Sequence, residues 1–391
     1  MKNINKFGIL LVVLVLSMTL VACGESSTTP DRNKPAFPTI APNPKAAKLP
    51  AGTVGPVVGA KVILPLDEAP HNDITEWWYY TGHLNTTDGR KYGFEFVIFQ
   101  SNQSDYPTGY ASHFAITDLN SSKFTIDQKL QLASQPVKFG GTAGVNLNIY
   151  DWKLQALSGT DHIQAKMSDG SYAIDLNLKD QKGVALHGGG EFSYGAAGAS
   201  YYYSRPRMSV NGTLSVNGQA AQVTGQVWFD HQWGNFMPLG DGGWQWFSTQ
   251  LSNGSEMMLY YLLDAKNNLL QAFGSYMPPC DATNPCDPTT DQPIKAIELG
   301  GSDFEIKPTS QWTSPNLGIT YPGSWHVTVK AKTGVPNLDL DYKPRLANQE
   351  LDTRKSTGQI YWEGDTAITG TANGQPISGD GYVELTGFGK K

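Results

Sequence analysis

The run Val227-Trp228-Phe229-Asp230-His231-Gln232-Trp233-Gly234 sets three aromatic rings, an acid and one of only seven histidines side by side. An imidazole next to a carboxyl in aromatic surroundings suits proton transfer, and a positioned acid or base contributes about 10²–10⁴-fold to a rate. An apolar site also favours the protonated form of a carboxyl, so that it can act as an acid. Asp230, Glu76 and Asp264 are the acids near aromatic motifs, and His231 could donate or relay a proton. Trp77, Trp78, Trp228, Trp233, Trp244 and Trp246 offer ring faces to a developing cation, each worth roughly 0.5–2 kcal/mol.

Each of these residues also has a structural reading. A lone histidine on an apolar face is more often a hydrogen-bonded core residue than a catalyst, and most of the tryptophans read as packing. His113, on a strand with Ala115 and Thr117, is either a lining residue or a core hydrogen-bonder. Tyr201-Tyr202-Tyr203 could present one phenol, Tyr203, to a site, because adjacent strand residues point apart. Other chemistries lack their signatures. There is no His-x-His or His-Glu-x-x-His spacing, so no metal is expected. Gly188-Gly189-Gly190 lacks the lysine of a phosphate loop, and no Gly-x-Ser-x-Gly elbow is present.

The elements that would position these groups are strands. Runs such as Glu76–Leu84, Tyr92–Gln100, Ser112–Leu119 and Ala221–Gln232 alternate with Asp88-Gly89, Asp169-Gly170 and Asn217-Gly218, which are hairpin signals. On a strand, alternate residues share a face. Val227, Phe229, His231 and Trp233 therefore share one face, and Trp228, Asp230 and Gln232 the other. The second half repeats the first. Glu76–Thr81 matches Trp244–Thr249, which makes Trp78 and Trp246 equivalent, and Asp230 matches Glu384. Val383 and Leu385 stand where the first copy has Phe229 and His231. Two tandem closed antiparallel barrels, each of roughly eight strands, are expected: residues 59–238 and 239–391. Only the first carries the imidazole and indole pair on its apolar face.

A chain of 391 residues suits two domains. Gly is high at 42, charged residues make up 16%, and the 43 aromatics favour strands over charged helices. The formal charge of −6 becomes −8 without Lys2 and Lys6, which argues against a nucleic-acid partner. Residues 1–23 start basic, continue with an apolar run too short to span a membrane, and end in Leu20-Val21-Ala22-Cys23. This ending resembles the lipobox of bacterial lipoproteins, so Cys23 is the expected lipidation site and the chain is expected outside the cytoplasm, on a membrane. Residues 24–58 read as a disordered tether. In an exported protein Cys280 and Cys286 are expected to form a structural disulfide.

Taken together, Glu76-Trp77-Trp78-Tyr79-Tyr80-Thr81-Gly82-His83-Leu84, Ser112-His113-Phe114-Ala115, Asp230-His231-Gln232-Trp233-Gly234, Tyr361-Trp362-Glu363-Gly364 and Gly381-Tyr382-Val383-Glu384-Leu385 resemble the bacterial carotenoid 1,2-hydratases (hydroxyneurosporene synthases) and AttH-like proteins, over roughly residues 62–388. The resemblance implies an all-β chain of two lipocalin-like (calycin) barrels. For the carotenoid members it implies addition of water to a terminal isoprenoid double bond without a cofactor. It also implies a Tyr-x-Asp on a later strand, whose nearest match is Tyr260–Asp264, with the spacing broken.

Two functions follow as expectations, with a purely structural envelope protein as a third. One is an enzyme acting on a hydrophobic isoprenoid- or polyene-like ligand, with His231, Asp230 and Glu76 handling protons. In that reading Trp233, Trp77, His113, Tyr203 and Asp264 contact the ligand. The other is a lipid-anchored carrier that binds such a ligand and does no chemistry.

Overall fold

The computed structural model describes residues 62–389, apart from 104–105, 135–142, 195–197 and 237–241. The signal segment, Cys23 and the tether lie outside the described residues. Among those described, the only helical element is a 3₁₀ turn, Leu66–Glu68, and no helix is long and apolar enough to cross a membrane.

The first sheet holds β1 (Thr75–Thr86), β2 (Lys91–Ser101), β3 (Gly109–Asp118), β4 (Lys123–Leu132), β5 (Val145–Ile149), β6 (Trp152–Leu157), β7 (Thr160–Lys166), β8 (Tyr172–Asp180), β9 (Ala185–Ser193), β10 (Ala199–Val216) and β11 (Gln219–Gly234). Its order is β4-β3-β2-β1-β11-β10-β8-β7-β6-β5, with β9 also on β10, and all pairings are antiparallel. The two end strands meet through side chains. Tyr150 donates its N–H to Gln131 Oε1 (2.7 Å) and its hydroxyl to the Leu130 carbonyl (3.2 Å), while Lys129 pairs with Asp151. The sheet is thereby a nearly closed barrel with few free edges.

The second sheet is a half-barrel. It holds β12 (Gly243–Leu251), β13 (Glu256–Leu263), β14 (Leu269–Met277), β15 (Ile297–Gly300), β16 (Phe304–Thr313), β17 (Thr320–Val329), β18 (Leu338–Pro344), β19 (Glu350–Thr353), β20 (Gln359–Ala372) and β21 (Gln375–Leu385). The order is β15-β14-β13-β12-β21-β20-β18-β17-β16, with β19 on β20. Cys280 and Cys286 are joined, with Cα atoms 5.5 Å apart, in the loop after β14. That loop crosses to the first sheet, where Ile294 N–H donates to the Val184 carbonyl at 2.8 Å.

Alternation decides the layers. Trp78, Tyr80, Val227, Phe229 and Trp233 fill the first barrel, whereas Tyr79, Trp228, Trp246, Met258 and Tyr382 form a separate cluster between the two sheets. The repeat is real, but its register differs by one residue from the sequence matching. Trp78 pairs with His231 and Tyr79 with Asp230, while Trp246 pairs with Glu384. Trp246 therefore occupies the place of Tyr79 rather than of Trp78, and the two rings meet edge to face at 5.4 Å. An aromatic-rich string matches itself at neighbouring offsets, whereas the ladder admits one. Gly225 and Gly379 pin the correct one: a Cβ at Gly225 would lie 1.8 Å from the His83 carbonyl oxygen, and one at Gly379 would lie 2.6 Å from that of Gln250. Gly188-Gly189-Gly190 lies inside β9. There all three glycines take positive φ, beside a register shift against β10.

Candidate active site

The inward face of β11 delivers His231 to the end of the first barrel, and the inward face of β1 delivers Glu76 beside it. His231 Nε2 lies 2.8 Å from Glu76 Oε1, and both side chains are fully buried. The segment before β1 then folds back over this pair. His71 Nδ1 approaches the same Oε1 at 2.8 Å, and the His71 backbone N–H donates to Oε2 at 2.8 Å. Gln100 on β2 completes the cage, donating to Glu76 Oε2 and to the His71 carbonyl, each at 2.9 Å. Glu76 is thus an acceptor with four donors and an imidazole on either side.

Rings hold the imidazoles in place. Trp233 stacks on His71 at 4.2 Å with an interplanar angle of 2°, and Trp78 stacks on His231 at 4.9 Å. Tyr203, from β10, sits 3.3 Å from His231 Nδ1. With Nε2–H donating to Glu76, that nitrogen accepts from the phenol. Trp78 donates its indole N–H to the Glu68 carbonyl at 3.1 Å, fastening the 3₁₀ turn over the barrel end. Glu68 is itself gripped by Arg205 at 2.8 Å, and Arg205 also binds Asp180 and Asp291 at 2.7 Å each.

The two histidines differ in charge. Burial works against a proton on His71, but its contacts with Asp67 (3.6 Å) and Glu76 outweigh it and raise the group to about 9. Burial wins at His231 over the pull of Glu76 and lowers it. The unit is an imidazolium and a neutral imidazole sharing one carboxylate, with Asp67 at the rim. His71 and Asp67 are its solvent-facing end, since their side chains keep 19% and 26% of their exposure.

A cleft of about 640 Å³ opens at this end of the barrel, lined by Pro70, Tyr110, Gly144, Leu147, Leu157 and Asp161 among others. Tyr110 links it to the cage, donating to Gln100 Oε1 at 3.1 Å. Asp161 accepts from Tyr80 at 2.9 Å, and burial pushes its carboxyl up to about 7.

Of the residues singled out in the sequence, Glu76, His231, Trp78, Trp233 and Tyr203 come together here. The others do not. Asp230 points to the opposite face of β11, where Tyr202, Trp228 (2.7 Å each) and Ser204 donate to it; adjacent strand residues cannot share a face. Trp77 lies on that outer side against Phe99 and Phe236. His113 is buried between the sheets, 2.7 Å from the Tyr361 hydroxyl and 2.9 Å from Ser356 Oγ, and burial lowers it to about 3. Asp264 is far from any of this, accepting from Lys266 N–H and Asn268 in a turn, because the spacing after Tyr260 carries it past the end of β13.

Sequence reasoning missed His71, Asp67 and Asp161. Nothing periodic marks the first two, which sit in an irregular segment. Asp161 was legible, since it shares a face with Ile163 and Ala165. Histidines scattered along the sequence are not scattered in space. Folding brings His71, Glu76 and His231 together with ligand atoms within 4.8 Å, a two-histidine, one-carboxylate set. A cation there would have to displace the hydrogen bonds that now join both rings to Glu76.

The second half lacks the site. Gly243 stands at the place of Glu76, where a Cβ would meet the Thr386 carbonyl oxygen at 2.1 Å, and Gln245 and Leu385 stand at those of Trp78 and His231.

Comparison with known proteins agrees with this architecture. Residues 56–388 match the family model described as AttH-like. An AttH protein from Nitrosomonas europaea is 28% identical, with a TM-score of 0.72 over 85% of this chain and 99% of its own. Kievitone hydratase from Nectria haematococca shares the fold at 17% identity, with a TM-score of 0.63 over 85% of this chain and 95% of its own. No curated protein sequence matches the chain.

Proposed function

The chain belongs to the AttH-like family, and from that premise we propose that it is a lipid-anchored, extracytoplasmic enzyme that adds water to, or cyclises, a carbon–carbon double bond of a hydrophobic isoprenoid- or polyene-like ligand, without a cofactor. The observation that carries this reading is Glu76 held between a protonated and a neutral imidazole at 2.8 Å from each, at the apolar end of a barrel. The kinship in fold with a protein named for hydratase activity supports the reaction class.

In this reading the ligand's double bond lies in the cleft beside Pro70 and Tyr110, against the exposed edge of His71. His71 gives its proton to one alkene carbon, and positive charge builds on the other. Water attacks that second carbon and loses a proton to Glu76, which passes it back to His71. One C–H and one C–O bond form, one π bond and one O–H bond break, and the protein ends as it began. His231, held by Tyr203, keeps Glu76 aimed. Asp161, a carboxyl poised near neutrality in the cleft, is a second proton source.

The test is incubation of the purified protein with a polyene or isoprenoid extract, followed by mass spectrometry for products heavier by one water or isomeric with the substrate. Turnover that survives in both Glu76→Gln and His231→Ala would falsify the assignment. A carrier is the alternative reading, supported by the cleft's volume, which is in the range of small-molecule sites. It predicts that bound ligand is recovered chemically unaltered.

A further inference from the structure

Among the described residues of the first half, six large apolar side chains stay exposed; one, Tyr150 at 66%, lies at the turn between β5 and β6, and the other five are not scattered. Ile63, Leu66, Tyr106, Leu132 and Leu157 keep between 39% and 55% of their surface open to solvent. The ladders bring Leu132 to the end of the sheet at which Glu76 lies. Leu132 pairs with Gly109, Gly109 with Ser101, and Ser101 with Thr75, the residue next to Glu76. Tyr106 lies in the loop joining β2 to β3 at that same end. Leu157 precedes Ser158, whose N–H donates to Glu68 Oε2 at 2.8 Å, and Gly144 beside it donates to the Pro65 carbonyl at 3.3 Å. Ile63 and Leu66 flank Pro65. These side chains therefore ring the end of the barrel at which the cleft and the His71 edge open. Scattered exposed leucines need no explanation, but several around one opening do.

The chain enters at this same rim. Val62, the first described residue, leads directly into Ile63, and upstream lie the 38 residues from Gly24 to Lys61 and the basic-then-apolar segment ending at Cys23.

We infer that this rim is a docking surface for the lipid bilayer, which the open end of the first barrel faces. The apolar ring dips into the headgroup and acyl boundary, as amphipathic interfacial surfaces do. A membrane-dissolved ligand then enters the cleft without crossing bulk water. An anchor at Cys23 would fix only one point of the chain, and the ring supplies the orientation. The inference rests on the lipid-anchored reading above for its partner, but not on the reaction.

The test uses the full chain bound to phosphatidylcholine vesicles, with a single cysteine added for an environment-sensitive thiol fluorophore. Leu66→Cys and Leu157→Cys report the rim. Leu270→Cys, equally exposed at 52% on β14 of the other sheet, is the control. Cys280 and Cys286 are joined, and the unsubstituted chain serves as the blank for Cys23. The expected result is a blue shift of emission on vesicle binding at both rim positions and none at the control. No shift at one or both rim positions, or an equal shift at Leu270, overturns the proposal. Because the readout is position against lipid rather than turnover, its failure leaves the proposed reaction untouched.

Discussion

Glu76 and His231 are 155 residues apart in sequence and 2.8 Å apart in space. They meet because β1 pairs with β11, the last strand of the same sheet, so that Trp78 lies directly across from His231 and Glu76 reaches it along the inward face. His71 then closes on the pair from outside the ladder.

Replacing His231 with Ala removes one of the two ring partners of Glu76 without opening the cleft. Turnover of a converted ligand is expected to fall by about 10²–10⁴-fold, with ligand affinity, measured by fluorescence titration of the barrel tryptophans, within a few-fold of the original.

His71 holds its proton up to about 9, whereas an unperturbed histidine releases it near 6.5. A raised pKa contributes stability that is complete below the lower value and lost as pH rises through the upper one. Unfolding free energy should therefore decline by on the order of 3 kcal/mol between those pH values. Glu76→Gln should flatten most of that decline, and NMR titration of the His71 ring should show its pKa falling.

Asp161 behaves with the opposite consequence for its replacement. Burial raises its carboxyl to about 7, so folding is penalised increasingly as pH rises from the ordinary carboxylate range to that value. Asp161→Asn, which can still accept from Tyr80, should gain up to a few kcal/mol in stability at pH 8 and almost none at pH 4. Chemical denaturation at the two pH values separates these outcomes.

Tyrosines clasp the two sheets reciprocally: Tyr79 donates to Glu363, and Tyr361 to Glu95, each at 2.7 Å. Tyr361→Phe strips Glu95 and His113 of a buried partner and should cost about 1–3 kcal/mol, read as a lower Tm, while ligand turnover at 25 °C persists.

Arg205 is buried among Glu68, Asp180 and Asp291. Arg205→Met leaves three carboxylates without their cation and should destabilise by roughly 3–5 kcal/mol or more. Asp291→Asn is the milder probe. It loosens the grip from the second half of the chain, and hydrogen exchange should rise in residues 62–74 before it rises in β1.

Much of this molecule could be read from its residues alone. Alternation fixed that His231 and Trp233 share a face and that Asp230 does not, and turn dipeptides fixed the hairpins. The internal repeat fixed that the imidazole of His231 has no counterpart in the second half, where Leu385 stands. Period two, however, says which residues face the same way and not which strand they will face. Only pairing in three dimensions brought Glu76 to His231 and carried Asp264 out of the site. It also moved Trp246 to the place of Tyr79. His71 and Asp67 were invisible for a simpler reason: they lie on irregular backbone, where no period exists, and their role comes from a segment that folds back over a barrel end already formed.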